Sequence, residues 1–165
     1  MEISVLAERY AAAMQLAEAL IERADLQKRA AQLQQRLRLN AKTQEGDAPT
    51  EDPRLLLSEL LAVFDQLGDL IPRIHRSNLT ARLKDGRTLT DALAHREVLD
   101  LRLAALRSVI EAASIQQTRQ TRSELRYVSH LPVRELQTDT DRLARERREL
   151  EALIQQANWA NSLLD

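Results

Sequence analysis

Apolar side chains return every three or four residues along four stretches of this chain, and polar or turn-forming residues separate the stretches. Such spacing places one apolar face on a helix, so four long helices are predicted. In the first, the face reads Leu16, Leu20, Arg23, Leu26, Ala30, Leu33 and Leu37, and it dissolves in the polar segment 40–52. The second opens with Asp52 as N-cap and Pro53 as its first helical residue, both suited to an end where N–H groups lack partners. Its face reads Leu57, Leu60, Phe64, Leu67, Ile71, Ile74 and Asn78. Pro72 cannot donate to the helical ladder, which predicts a kink near 68–72 and not a stop.

A connector over 79–87 follows, in which Asp85-Gly86 is suited to a tight turn and predicts a small hairpin. Thr88 and Asp91 have the spacing of a capping box, and the third face reads Leu89, Leu93, Arg96, Leu99, Leu103, Leu106, Ile110 and Ala113, ending near Gln117. Within 118–131, the alternation over Leu125–Leu131 predicts one extended piece. Pro132 starts the fourth helix, whose face is Leu136, Thr140, Leu143, Arg147, Leu150, Ile154 and Ala157. Trp159, near its end, is expected to pin the last turn against the first helix; its other reading is an anchor in a partner interface.

Rods of matched length, each roughly 40 Å, predict an all-α, antiparallel four-helix bundle with a minor β-hairpin or short extended segments in the connectors. Its polar connectors are longer than the usual bundle loop, so they are expected to make contacts of their own. Residues 14–165 are read as a single domain. Leu55, Leu56, Leu61 and Leu101 widen the apolar arc beyond one seam. A broad monomer core would use them, but the favoured expectation is a homo-oligomer, because large exposed apolar patches are uncommon in monomers.

Composition narrows the function classes. Thirty leucines and 23 alanines among 165 residues, with three glycines, four prolines and four aromatic residues, suit helix and leave little material for a sheet. The formal charge of -1, with both signs interspersed, lacks the one-sided basic excess of a nucleic-acid binder. Zero cysteine excludes disulfides, Cys-ligated zinc and thiol catalysis, and suits a reducing compartment. The longest uncharged stretch, 152–164, is too short to span a bilayer, and the first residues lack the pattern of a secretory signal. A cytoplasmic protein without nucleic-acid or membrane partners is therefore expected.

No complete catalytic motif is present, and no enzyme activity, cofactor or metal is expected. The histidines at 75, 95 and 130 lie in separate segments, and no Glu-x-x-His occurs. Asp91 and His95 form the one acidic-His pair at helical i,i+4 spacing, with an ordinary surface contact as its plain reading. Gly-x-Ser-x-Gly and Gly-rich phosphate loops are also missing. Arg23, Arg96 and Arg147 fall on helix faces that turn inward, where a charge needs a partner. With Asp139, Glu146, Glu22 and Asp100 they are candidates for a buried or half-buried network that fixes helix register. A buried Arg96 would make Arg96→Ala cost roughly 3 to 5 kcal/mol. The connector groups Arg82, Lys84 and Arg87, and Arg119, Arg122 and Arg126, are the best candidates for an anion or protein partner, with solvated loop charge as the plain alternative. A small-molecule ligand is not specified.

Several stretches together resemble a family of small bacterial proteins known as "septicolysin": 16–29 (LAEALIERADLQKR), 44–46 (QEG), 51–53 (EDP), 85–93 (DGRTLTDAL), 122–126 (RSELR) and 157–159 (ANW). The similarity covers about 14–159. It implies no established activity and no catalytic residues. Family members begin with a Met just before the Leu-Ala-Glu-Ala-Leu element, here Met14, which implies that residues 1–13 are an upstream extension or a misassigned start. The expected function is a non-enzymatic, self-associating structural or scaffold protein. Alternatives are a regulatory binding module for an anionic ligand or protein partner, and the membrane-active lysin that the family label suggests.

Overall fold

The computed structural model describes residues 14–114 and 128–165. The extension 1–13, Tyr127, the three arginines at 119, 122 and 126, and the first three residues of the extended piece expected over 125–131 lie outside them; 128–131 are described and form no strand. Four helices are formed: α1 (Leu16–Asn40), α2 (Pro53–Thr80), α3 (Leu89–Ala113) and α4 (Val133–Ala160). All four were legible in the apolar periodicity. Among the described residues there is no strand, and backbone pairing outside the helices comes down to two isolated antiparallel bridges, Gln15 with Ser162 and Arg82 with Thr88. The fold is all-α. The chain gathers into two compact units, Met1–Ala81 with Gln156–Asp165, and Arg82–Gln155.

In the first unit α1 and α2 pack antiparallel: Arg36, late in α1, pairs with Glu51 just before α2, and Arg29, earlier in α1, pairs with Glu59 further along α2 at 3.9 Å. The helix ends follow local chemistry. Asp52 caps α2 by accepting from Arg54 N at 2.8 Å, with Pro53 next to it where a missing N–H is harmless. Asn40 stitches the connector: its amide donates to Arg36 O at 3.0 Å while its Oδ1 accepts from Glu51 N at 3.0 Å. Gly46 takes φ +95° in the same connector, a conformation that a side chain would strain. This connector therefore has contacts of its own, as its length implied.

The face of α1 is buried as expected at Leu16, Leu26, Ala30 and Leu33. On α2 the register differs from expectation. Leu56, Leu60, Val63, Leu67, Leu70, Ile74 and Ser77 are buried, whereas Leu57 is 45% exposed and Phe64 51%. Leu60, Leu67 and Ile74 are buried as expected, but apolar residues stand on both sides of that row, and size alone misplaces the flanking row by one residue, at 57, 64, 71 and 78 where the structure buries 56, 63, 70 and 77. Helix α2 continues through Pro72 to Thr80.

In the second unit a turn over 82–88 precedes α3. Leu83 N donates to Arg87 O at 2.9 Å, Gly86 N donates to Leu83 O at 3.0 Å, and Gly86 has φ +88°. The Asp85-Gly86 turn is thus present, but it closes through one bridge and does not extend into a hairpin of strands. Thr88 caps α3 by accepting from Asp91 N at 3.1 Å and donating to Asp91 Oδ2 at 2.6 Å. Helix α3 ends at Ala113, before the expected Gln117, and the Ser114 hydroxyl closes it on Ile110 O at 2.7 Å. Leu89, Ala92, Leu99 and Leu103 of α3 and Leu143, Leu150 and Ile154 of α4 form the buried set.

The register of α2 can be checked directly. Leu56→Ala should lower unfolding free energy by about 2 to 5 kcal/mol, since it empties a buried site. Leu57→Ala should stay within about 0.5 kcal/mol in the same denaturant titration. The opposite ranking would restore the rotation first expected from the sequence.

Candidate functional site

The inward-turned arginines of the second unit find their partners across the α3–α4 pair. Arg96 and Asp100 stand one turn apart on α3, and Arg147 and Glu151 one turn apart on α4, so an antiparallel alignment sets each cation against an anion. Arg96 Nη1 donates to Glu151 Oε2 at 3.2 Å, Arg147 Nη1 lies 3.4 Å from the same oxygen, and Arg147 Nε donates to Asp100 Oδ1 at 3.0 Å. The result is an alternating ladder, Arg96–Glu151–Arg147–Asp100. Gln155 adds an amide hydrogen bond to Glu151 Oε1 at 2.8 Å. That bond, joined by the one from Arg96, holds the Glu151 carboxyl below its usual range against the opposing effect of burial. The hydrogen bond to Asp100 favours charged Arg147 in the same way.

The ladder corrects the expected network in membership and in depth. Glu151 is its hub, in place of Asp139 and Glu146. Asp139 pairs with Arg142 on its own helix at 3.2 Å, both well exposed, and Glu146 faces His95. Arg96 and Arg147 are each 33% exposed at the side chain, so the ladder is half-buried. Arg23 lies on α1 in the first unit; its Nε is buried without a hydrogen-bond partner among the described residues. The missed signal was the pairing of two i,i+4 motifs with the same sign order, Arg-x-x-x-Asp and Arg-x-x-x-Glu. Only antiparallel alignment makes those complementary.

A second cluster ties the turn to both helices. Arg87 is held by Asp85 through Nε at 2.9 Å and Nη2 at 2.6 Å, and these bonds keep the Asp85 carboxyl below its ordinary range. Arg87 Nη1 lies 2.9 Å from His95 Nδ1, and His95 Nε2 lies 3.3 Å from Glu146 Oε1. Asp91 is engaged by Thr88, so the structure does not form the Asp91–His95 pair singled out by spacing. Of the connector cations, Arg82 donates to Gly86 O at 3.1 Å, Arg87 is committed to Asp85 and His95, and Lys84 is exposed. Arg82 and Arg87 are thus engaged within the turn and at His95.

The segment following α4 was not foreseen as a structural tie. Leu163 is buried, its N–H donates to Met14 O at 2.7 Å, and Asn161 O accepts from Leu16 N at 2.9 Å. The Ser77 hydroxyl accepts from Leu164 N at 2.8 Å, while Arg73 and Arg76 bind Asp165 at its side-chain Oδ1 and backbone O, both at 2.9 Å. Gln15, with its amide NH2 turned to this segment, donates to the carbonyls of Trp159 and Asn161 at 3.2 Å. Trp159 itself is 56% exposed and pins nothing against the first helix: Ala157 and Asn158 take the inward positions, and one further residue of rotation turns the indole out.

Open hollows on α1 have volumes of about 410 Å³ and 420 Å³; one is lined by Ile21 and Leu26 among Glu18, Glu22, Asp25 and Arg29, the other by charged groups including Lys28 and Arg36. Among the described residues no group of three or more His, Asp or Glu side chains converges as a metal site. No described helix is long and apolar enough to cross a membrane.

Fold and clusters together define an all-α protein whose polar side chains are arranged to hold helices and turns to one another. The chain belongs to the Family of unknown function (DUF6847), whose pattern matches residues 23–163. A crystal structure described as a functionally unknown conserved protein from Corynebacterium diphtheriae is similar, with 38% identity and a TM-score of 0.86 over 92% of this chain and 99% of that one. No curated protein matches the chain. These findings overturn the septicolysin resemblance: short islands such as DGRTLTDAL follow from turn and cap chemistry, which helical proteins of other families can share.

Glu151→Gln should weaken the chain by about 1 kcal/mol, because the ladder is half-exposed and partly screened. The revised expectation for Arg96→Ala is the same size, well below the cost of breaking a fully buried pair. A lowered folded-state pKa means that Glu151 contributes stability above its unfolded value and loses it as pH falls through the folded one. The acid limb of a stability–pH curve should therefore be shallower in Glu151→Gln than in the parent chain.

Proposed function

We propose that the chain is a non-enzymatic, self-associating structural module of the helical-bundle type, acting in the cytoplasm. The observation that supports this most is the outward line on α2 made by Leu57, Leu61 and Phe64, three large apolar side chains each about half exposed. Gly68 and Ile71 continue the line at helical spacing. Side chains of this kind, gathered on one face, are the usual material of an interface core.

Gly68 adds a second reason. A Cβ placed there would meet nothing within 4 Å, so no neighbour in the chain requires a glycine. Mid-helix glycine nevertheless costs about 1 kcal/mol relative to alanine. A helix from another copy crossing at this point would give the missing side chain a use, since small residues let backbones approach closely. Zero cysteine suits the reducing interior proposed as its location.

Light scattering on the eluting peak of a sizing column should give a mass above 18.8 kDa that rises with loading concentration. Leu61→Glu and Phe64→Glu, both at exposed positions, should reduce it to one chain while leaving the melting temperature nearly unchanged. A parent protein that elutes as one chain at every concentration sinks the reading.

A further inference from the structure

Glu146, His95, Arg87 and Asp85 form a continuous chain of ionisable groups from α4, past α3, to the turn over 82–88. A guanidinium carries only donors, so the 2.9 Å contact from Arg87 Nη1 requires His95 Nδ1 to present its lone pair. The hydrogen of the neutral ring then sits on Nε2, facing Glu146 Oε1 at 3.3 Å. Arg87 is not free to seek another partner, because Asp85 grips its Nε and Nη2 and accepts from its backbone N–H at 3.1 Å.

We infer that His95 is a proton-operated latch on this turn. Neutral, the ring accepts from Arg87 and fastens the turn to α3. A second proton can enter only at Nδ1, the atom that Arg87 occupies, so its arrival breaks that hydrogen bond and sets two cations side by side. The charged groups facing the ring are of opposite sign. Arg87, from the turn, is a cation; Glu146, from α4, is an anion; Asp85 lies behind Arg87, and Asp91, one turn earlier on α3, is engaged by Thr88 Oγ1 at 2.6 Å. Protonation therefore keeps the α3–α4 contact and gives up the turn contact. Beyond it, the tip is held by the hydrogen bonds from Leu83 N to Arg87 O, from Gly86 N to Leu83 O and from Arg82 to Gly86 O.

The test follows the ring and the turn together by NMR on the full chain through an acid titration. Ring nitrogen signals should place the neutral hydrogen on Nε2. As His95 takes its second proton, hydrogen-exchange protection of the Leu83 and Gly86 amides should fall about five-fold, the scale of one lost hydrogen bond. His95→Gln, which offers Arg87 an amide oxygen and does not titrate, should hold its protection across the range. Arg87→Ala should show the low protection at every pH. A neutral ring protonated on Nδ1, protection that ignores the His95 titration, or full protection in Arg87→Ala would each overturn the latch.

Discussion

A helix turns by 100° per residue, so a single angle settles which leucines of an amphipathic segment meet a neighbour and which meet water. In this chain the angle also decides the polar contacts. With Leu99 and Leu103 of α3 and Leu143, Leu150 and Ile154 of α4 turned inward, Arg96, Asp100, Arg147 and Glu151 come to the margin of the seam, where they meet across the pair. There they are partly shielded from water while still reached by it. Burial of the apolar strip favours pairing without fixing a direction, whereas the bonds of the ladder are met in this alignment of the two helices.

The sequence revealed much of this arrangement because helix formation leaves a strong periodic trace. Asp52, Pro53, Thr88 and Asp91 were legible as helix starts because their side chains act within one turn of themselves, and Asp85-Gly86 was legible as a turn for the same reason. Rotation was harder. On α2, leucines occupy positions on either side of the seam, and the larger Phe64 drew the expected face toward itself while the structure buries Val63. Nothing local to 63–64 decides between them; the packing of α1 does.

Polar partners were harder still. Arg96 and Arg147 were identifiable as charges in awkward places, but their shared anion could be named only with the antiparallel register in hand, and Glu151 was therefore missed. The same holds for His95. Spacing offered Asp91 as its partner, whereas the fold gave Asp91 to the Thr88 cap and brought Arg87 and Glu146 to the ring. Family resemblance judged from short islands failed for a related reason: caps and turns recur wherever helices begin and stop, so they carry little ancestry.

The tie made by Leu163 and Asp165 has a bearing on how the protein is made. It joins residues 14–16 and 73–77 to a segment translated almost ninety positions after α2. While the ribosome is still working through 82–155, the first helical hairpin must wait with its Leu16 amide, its Ser77 hydroxyl and the seat of Leu163 unfilled. The compact unit that holds α1 and α2 is thus completed only after 82–155 has been translated, and a product stalled before that would carry an open, sticky rim for quality control to find.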